Sequence, residues 1–251
     1  MKSDKKETKC VGIILAGGFG TRLKPMTNVT NKHLLPIYDK PMIYYPINTL
    51  RSAGIYDIIV VTGSESAGDF INLLGSGEEL GVNISYKTQN GAGGIAEALG
   101  LCKDLVGENP MVVILGDNIF FDNIKEYVDQ FKQNYRKAMI FLKEVADPTR
   151  FGVATIKNGF VENVVEKPNK PESNLAVTGL YFYNPSVWHV ISLLNPSERG
   201  ELEITDVNNW YIKNGTMDFQ VLSNFWSDAG TVESLYNAAT AVRNQKLKPS
   251  S

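Results

Sequence analysis

An apolar run, Val11 to Ala16, opens directly into Gly17-Gly18-Phe19-Gly20 and then Thr21-Arg22. The run reads as a buried strand. The glycines that end it make a turn whose backbone N–H groups are free to face an anion. Arg22 adds a permanently charged planar fork suited to phosphate. Lys32, in Asn31-Lys32-His33-Leu34-Leu35-Pro36, supplies a second cation soon after. Such a segment is built to grip a polyphosphate near its own N-terminus. It is not a Walker A loop, which needs G-x-x-x-x-G-K-[ST]. Nor is it a dinucleotide fingerprint, because Leu23 stands where a third glycine would follow Gly20. The plainer alternative is a tight strand-to-helix turn with a surface arginine. The coincidence of glycines, Thr21, Arg22 and Lys32 at the end of a first strand weighs against it.

The rest of the first half alternates strand and helix signals. Strands are expected at Gly12–Leu15, Asp57–Thr62, Ser85–Thr88 and Met111–Leu115, and helices at Met42–Ala53, Ala67–Leu74 and Gly94–Leu101. That alternation implies a mostly parallel sheet covered by helices. Gly54 is the expected left-handed stop of the first helix. Met111–Leu115 is apolar throughout, so it belongs at the sheet centre, and its end, Gly116-Asp117-Asn118, falls where open α/β sheets bind ligands. The second half is more mixed. Strands are expected at Ala138–Glu144, Val153–Lys157, Phe160–Glu166, Leu175–Tyr183 and Met217–Leu222, and helices at Pro185–Leu194, Ile204–Lys213 and Val232–Gln245. Lys157-Asn158-Gly159-Phe160 carries a hairpin-turn signal. No repeat, linker or low-complexity segment interrupts the chain. The fold class is therefore α/β: one Rossmann-like body with a mixed, mostly parallel central sheet flanked by helices.

Composition narrows the function. Among 251 residues, 25 Lys and Arg face 27 Asp and Glu, a net charge of −2, which argues against a nucleic-acid partner. No run of roughly 18 apolar residues exists, so no membrane span is expected. Met1 to Lys9 lacks the apolar core of a signal peptide and is expected to be a disordered tail (1–9). A second tail is expected at 246–251, leaving one domain over 10–245. Two lone cysteines without a CxxC, and two histidines, exclude a zinc site of the usual kind and fit a reducing cytoplasm.

Several separated strings occur together: the glycine loop to Pro25, Lys32 to Pro36, Asp39-Lys40-Pro41-Met42, Gln89 to Ala98, Leu115 to Asn118, Phe151-Gly152-Val153, Glu166-Lys167-Pro168, Val177-Thr178-Gly179, Arg199 to Asp206 and Trp226 to Thr231. In this order, from about Cys10 to Asn244, they resemble the sugar nucleotidyltransferases. The likeness is greatest to the branch that transfers a thymidylyl group from dTTP to glucose 1-phosphate, releasing pyrophosphate. The resemblance implies a GT-A-like fold with a nucleotide-binding N-terminal half and a sugar-binding C-terminal half, Mg²⁺ as cofactor and assembly into a homo-oligomer. Longer relatives continue beyond the last helix seen here. If their extra helices build a feedback site, weak or absent inhibition by dTDP-rhamnose is expected.

The chemistry fits the composition. A sugar phosphate has a second pKa of about 6, so the nucleophile is already ionised and needs no general base. The protein must align two substrates and neutralise their charge. Arg22, Lys32 and Asp117 are the expected catalytic residues. Nucleotide contacts are expected from Gly17, Gly18, Gly20, Thr21, Arg22, Gln89, Gly94 and Asp117. Mg²⁺ is expected on Asp117, at the end of a central strand, and on Asp228. An amide at Gln89 suits a pyrimidine edge, and a glycine at position 94 allows a close approach to the base. The resemblance assigns the sugar to Asn118, Gly152, Glu166, Lys167 and Val177. Each has a plainer alternative: a helix cap for Asp117, solvated side chains for Lys32 and Lys24, a strand end closed by proline for Glu166-Lys167-Pro168, core for Trp226. Arg199 is expected either near the sugar phosphate or in a salt bridge with Glu201 or Glu203, and Thr205 as a helix cap. Departures from relatives stand at Glu97, at Phe151, and at Ser227 and Ala229 beside Asp228.

Two other readings stay open at this point. UTP or another hexose 1-phosphate would be handled by the same chemistry, since one methyl in a pocket is worth only about 1–3 kcal/mol. A catalytically silent nucleotide-sugar-binding subunit should lack Arg22, Asp117 or Asp228, and none is missing. A glycosyltransferase is disfavoured by the absence of an Asp-x-Asp pair.

Overall fold

The computed structural model describes residues 8–247. The first half runs β1 (Val11–Ala16), β2 (Pro36–Ile37), β3 (Lys40–Pro41), α1 (Tyr44–Ser52), β4 (Asp57–Gly63), α2 (Ala67–Leu74), β5 (Asn83–Gln89), α3 (Ile95–Gly100), α4 (Lys103–Val106), β6 (Met111–Leu115) and β7 (Ile119–Phe120). The second half runs α5 (Lys125–Gln133), β8 (Ala138–Glu144), β9 (Gly152–Lys157), β10 (Phe160–Glu166), β11 (Leu175–Tyr183), α6 (Val187–Ser192), α7 (Ile204–Lys213), β12 (Met217–Val221), β13 (Trp226–Ser227) and α8 (Val232–Lys246).

Nine strands of the described residues make one sheet that crosses both halves, ordered β10-β9-β11-β6-β1-β4-β5, with β8 pairing β11 and β12. β1 lies parallel between β4 and β6. β11 joins the halves by pairing antiparallel with β6, Leu180 opposite Ile114. One continuous body, with a mixed sheet, is therefore what the alternation of signals forms. β1 and β6 are apolar on both faces because both are covered. Ile13, Leu15 and Val113 pack on one side with Leu99, Trp188 and Tyr211. Ile14, Val112 and Ile114 pack on the other with Ile47, Phe70 and Phe131.

The turn signals also act as expected. After α1, Gly54 adopts φ 79°, and Ile55 N–H reaches back to Leu50 C=O at 3.0 Å, a Schellman stop. Asn158 and Gly159 both take positive φ between β9 and β10. Several features depart from the sequence reading, among them α4 and the two-residue strands β2, β3, β7 and β13, for which no element was expected. α5 was not anticipated, although Ile124, Val128 and Phe131 form its buried stripe. Thr205 does not cap α7: the cap position is Glu203, and Thr205 lies in the first turn with its hydroxyl turned to Glu166. α8 continues to Lys246, one residue into the expected tail, and Lys246 pairs with Asp39; a lysine in a last turn favours that extension. At the other end Lys9 pairs with Asp57 at 3.1 Å. The remaining tail residues, 1–7 and 248–251, lie outside the described residues. Cys10 and Cys102 are buried free thiols, which burial pushes up to about 12.

Candidate active site

The parallel strands β1 and β6 end side by side, and their ends form the floor of the site. Beyond Ala16, the N–H groups of Gly18, Phe19 and Gly20 donate to no backbone carbonyl of the described residues. Gly20 takes φ 60°, and a Cβ there would meet Lys32 Cβ at 3.0 Å and Thr27 Cγ2 at 2.9 Å. Only glycine lets the loop close so tightly on the lysine stem. Lys32 then reaches across to Asp117, Nζ to Oδ2 2.5 Å, with both side chains largely buried.

Asp117 is held ionised in the interior. Burial pushes its pKa up, but the charge of Lys32 and the hydrogen bonds from Lys32 and Asn118 outweigh that and leave it below the ordinary carboxylate value. His33 sits beneath, 1 % exposed, its ring nitrogen 2.8 Å from Asn31 Oδ1. Burial, with Lys32 alongside, lowers its pKa to about 3, so it is neutral at pH 7 and Lys32 carries the positive charge of the floor.

Asp228 arrives from far along the chain. The two-residue strands β7 and β13 pair antiparallel, Ser227 opposite Ile119 and Trp226 opposite Phe120. That register brings Asp228 back to the Asp117-Asn118 corner. Asn118 locks the corner: its Oδ1 accepts from Trp226 Nε1 at 2.7 Å and from Gly179 N–H at 2.9 Å, and its Nδ2 donates to Asp117 Oδ1 at 2.9 Å. A Cβ on Gly179 would lie 2.7 Å from that amide. Asp228 Oδ2 receives Arg150 Nη2 at 2.9 Å. A Cβ on Gly230 would lie 3.2 Å from both Asp228 Oδ2 and Arg22 Nη2, so Arg22 shares this corner. Ala229, between them, is held at φ 36°, a sparsely populated conformation of the kind that gathers at functional sites.

On the β5 side, Gln89 is 6 % exposed, and its Nε2 donates to Gly94 C=O and to Glu97 Oε1, both at 3.2 Å. Its Oε1 faces the glycine loop, 3.2 Å from where a Cβ on Gly17 would be. Gly94, at φ 95° and ψ 172°, is pressed against Leu202, and a Cβ there would meet the Leu202 backbone N at 2.8 Å. Its glycine is thus required by contact with the 196–203 loop, whatever the ligand. Glu97 turns inward to Gln89.

Of the sugar-side residues of the sequence reading, Gly152, Glu166 and Lys167 lie together, while Asn118 sits at the Asp117 corner. Glu166 accepts from Thr205 Oγ1 at 2.7 Å and pairs with Lys167 at 2.9 Å. Gly152 lies opposite Glu166 across the hairpin. Arg199 pairs with Glu203 at 2.8 Å and stands 3.6 Å from Glu201 and 3.9 Å from Glu166. Val177 is buried on β11, next to β8. Lys167 N–H donates to Phe151 C=O at 2.9 Å, and Phe151 packs on Trp226 with ring centroids 5.2 Å apart. The sugar-side cluster is thereby tied to the Asp228 corner. The sequence reading missed Arg150 and the Trp226–Asn118 bond. Arg150 directly precedes the Phe151-Gly152-Val153 string, but nothing local marks it as a partner of a residue 78 positions on.

Comparison with known proteins identifies the family. The Nucleotidyl transferase family profile matches residues 11–245. The chain is 44 % identical to a glucose-1-phosphate thymidylyltransferase of Neisseria meningitidis over 236 residues, covering 92 % of this chain and 82 % of that one. It is 45 % identical to the enzyme of that name from Mycobacterium tuberculosis, with the same coverage. Among solved structures, a glucose-1-phosphate thymidylyltransferase chain from Bacillus anthracis, crystallised with sucrose, superposes with a TM-score of 0.90 at 52 % identity, covering 94 % of this chain and 96 % of that one. A UDP-glucose pyrophosphorylase complexed with UDP-glucose superposes at 0.82 with 28 % identity, covering 94 % and 99 %. A glycine loop, a buried lysine–aspartate pair and a second carboxylate delivered by β13 are thus set in a chain that belongs to the nucleotidyl transferase family and, within it, to the glucose-1-phosphate thymidylyltransferases.

Proposed function

We propose that the protein transfers a thymidylyl group from dTTP to glucose 1-phosphate, giving dTDP-glucose and pyrophosphate. The observation that carries this reading is convergence: Arg22, Lys32, Asp117 and Asp228 come from four separate segments and meet at the ends of β1 and β6. Such a corner can bind a triphosphate and place a second phosphate against it. The sugar phosphate attacks the α-phosphorus as an anion, so the residues supply alignment and charge rather than proton transfer. Arg22 and the N–H groups of Gly18 to Gly20 would hold the β- and γ-phosphates, with Gly17 and Thr21 shaping the loop on either side. Lys32 would bridge both substrates, and Gln89 would read the pyrimidine edge across from Gly94. Glu166, Lys167 and Gly152 would take sugar hydroxyls and phosphate, with Val177 and Asn118 as their backing.

The donor set fits a magnesium ion. Two carboxylates, one of them held ionised despite burial, share a corner facing the phosphate loop, and magnesium takes one or two carboxylates plus substrate phosphates. Asp117 and Asp228 would hold it, and bound there it would neutralise charge on the α-phosphate. A homo-oligomer in a reducing cytoplasm is the setting we propose, in keeping with two buried free thiols. No helix of the described residues is long and apolar enough to cross a membrane.

The test is pyrophosphate release with Mg²⁺, crossing dTTP and UTP with glucose 1-phosphate and galactose 1-phosphate. Turnover restricted to dTTP with glucose 1-phosphate supports the reading. Faster turnover with UTP favours the second reading, uridylyl transfer, which the likeness to a UDP-glucose pyrophosphorylase structure motivates. No turnover in any combination defeats both.

A further inference from the structure

We propose that Arg150 is an exchangeable counter-ion of the active site. Its guanidinium either pairs with Asp228 or, when a divalent cation takes that carboxylate, turns to the phosphates of the substrates. This rests on the reading of the site given above.

The geometry singles out Arg150. Each carboxylate of the corner has its own internal cation: Lys32 on Asp117 at 2.5 Å and Arg150 on Asp228 at 2.9 Å. The two pairs differ in how firmly they are held. Lys32 is largely buried and its stem is clamped by Gly20. Arg150 is 39 % exposed, and among the described residues the other support of its guanidinium is the Phe151 ring, with Cζ 5.4 Å from the centroid. A half-exposed ion pair of this kind is weak.

The backbone beneath Arg150 is, in contrast, fixed. Asp147 Oδ1 accepts from Thr149 Oγ1 at 2.6 Å and from its N–H at 3.1 Å. Phe151 N–H bonds to Pro148 C=O at 3.0 Å, and Phe151 C=O accepts from Lys167 N–H. The side chain can turn while its root stays in place. Arg22 stands at the same corner, its Nη2 and Asp228 Oδ2 each 3.2 Å from where a Cβ on Gly230 would be, so positive charge remains beside Asp228 when Arg150 leaves it. A divalent ion on Asp228 would displace Arg150, the one guanidinium paired with it among the described residues. A freed arginine has the Asp147 carboxylate within range on its own loop, but that group is already bonded to Thr149, whereas substrate phosphates at this corner would carry more charge and pair with guanidinium in a bidentate fork.

The test uses the full protein and Mn²⁺ alone, followed by its paramagnetic resonance signal, with no nucleotide present. Arg150→Ala should bind Mn²⁺ about tenfold more tightly than the wild type, because a competing cation beside the carboxylate is gone. Asp228→Asn should erase that difference. In turnover, Arg150→Ala should lose at least about tenfold in kcat, as for removal of a donor to developing charge. Arg150→Lys should fall between, and free guanidinium ion should partly restore the alanine variant. Arg150→Gln, which keeps the stem, serves if the alanine variant is unstable. Unchanged or weaker Mn²⁺ binding in the alanine variant overturns the exchange, whatever the turnover. Wild-type kcat in that variant overturns the phosphate-binding half. Should the wild-type protein release no pyrophosphate at all, the functional reading fails by itself, and the Mn²⁺ comparison still decides the exchange.

Discussion

Asp117 and Asp228 are two carboxylates of one corner built by opposite means. Asp117 is placed by the sheet: it follows two residues after the end of β6, which lies between β1 and β11 at the centre of the fold. Its partner Lys32 is pressed into place by a glycine, and both are buried. Asp228 is placed by a two-residue strand, an indole hydrogen bond and a residue at positive φ, and its partner is half-exposed. A rigid, low-dielectric pair on the floor therefore faces an adjustable pair on the rim. The contrast separates pre-organisation, which the core supplies, from adaptation, which a loop supplies.

The largest effect should come from removing the floor carboxylate. Asp117→Asn should lower kcat by roughly a thousandfold, and Asp228→Asn by roughly ten- to a hundredfold, since charge stabilisation in a water-excluded site is worth the most. Pyrophosphate release with dTTP and glucose 1-phosphate measures both. The opposite order would mean that the rim carries the chemistry and would break the comparison. Stability should follow the same order. Asp117→Asn strands the buried Lys32 charge and should cost about 3–5 kcal/mol, whereas Asp228→Asn leaves Arg150 half in water and should cost less than about 1 kcal/mol. Adding Lys32→Met to Asp117→Asn should recover most of the loss, because no charge is then left unpaired. Urea melts of the three variants and the wild type decide this; a double variant as unstable as the single one would mean that shape, not charge, holds the floor.

The same contrast marks what could be read in the sequence. The floor was legible because its determinants are local. The apolar runs of β1 and β6, the glycines after β1 and the Asp after β6 each carry their own signal, and parallel pairing sets their ends together. The hairpin at Asn158-Gly159 and the stop at Gly54 were legible for the same reason. The rim was not. Arg150 and Asp228 meet only because β7 pairs β13 over two residues, too short for any periodicity to show. Thr205 was misplaced because its hydroxyl had two possible partners, the helix N-terminus and Glu166, and only the tertiary fold chooses between them. Gly94 was read as making room for a base, yet the structure gives it a sufficient reason in the Leu202 backbone.

A smaller effect should appear with pH, and it belongs to the floor. The unfolded chain takes up a proton at His33 as pH falls below 6.5, while the folded chain resists until about 3. Stability should therefore decline as pH is lowered through that window, by up to about 1.4 kcal/mol per pH unit from this residue. His33→Gln should flatten the slope between pH 6 and 5 in metal-free buffer, where most carboxylates have yet to titrate. Equal slopes in both proteins would show that His33 becomes charged within the fold.

The smallest effect tests the proposed base side, at the contact between Glu97 and Gln89. Glu97 accepts from Gln89 Nε2, as does Gly94 C=O. A carboxylate can only accept, so it fixes which way the Gln89 amide points and leaves Oε1 facing the glycine loop. Thymine and uracil carry an N–H at position 3 and need an acceptor there, whereas cytosine carries a bare nitrogen and needs a donor. With Gln89 reading the base, as proposed above, an Oε1 held toward the loop would select against cytosine. In Glu97→Gln the new amide can donate as well as accept, and Gln89 becomes free to flip. That variant should keep kcat/KM for dTTP within about threefold while raising the dCTP to dTTP ratio by roughly three- to tenfold, the scale of one reoriented hydrogen bond. An unchanged ratio would mean that Gly94 C=O alone orients Gln89. A large loss with dTTP would instead place Glu97 in direct contact with the nucleotide.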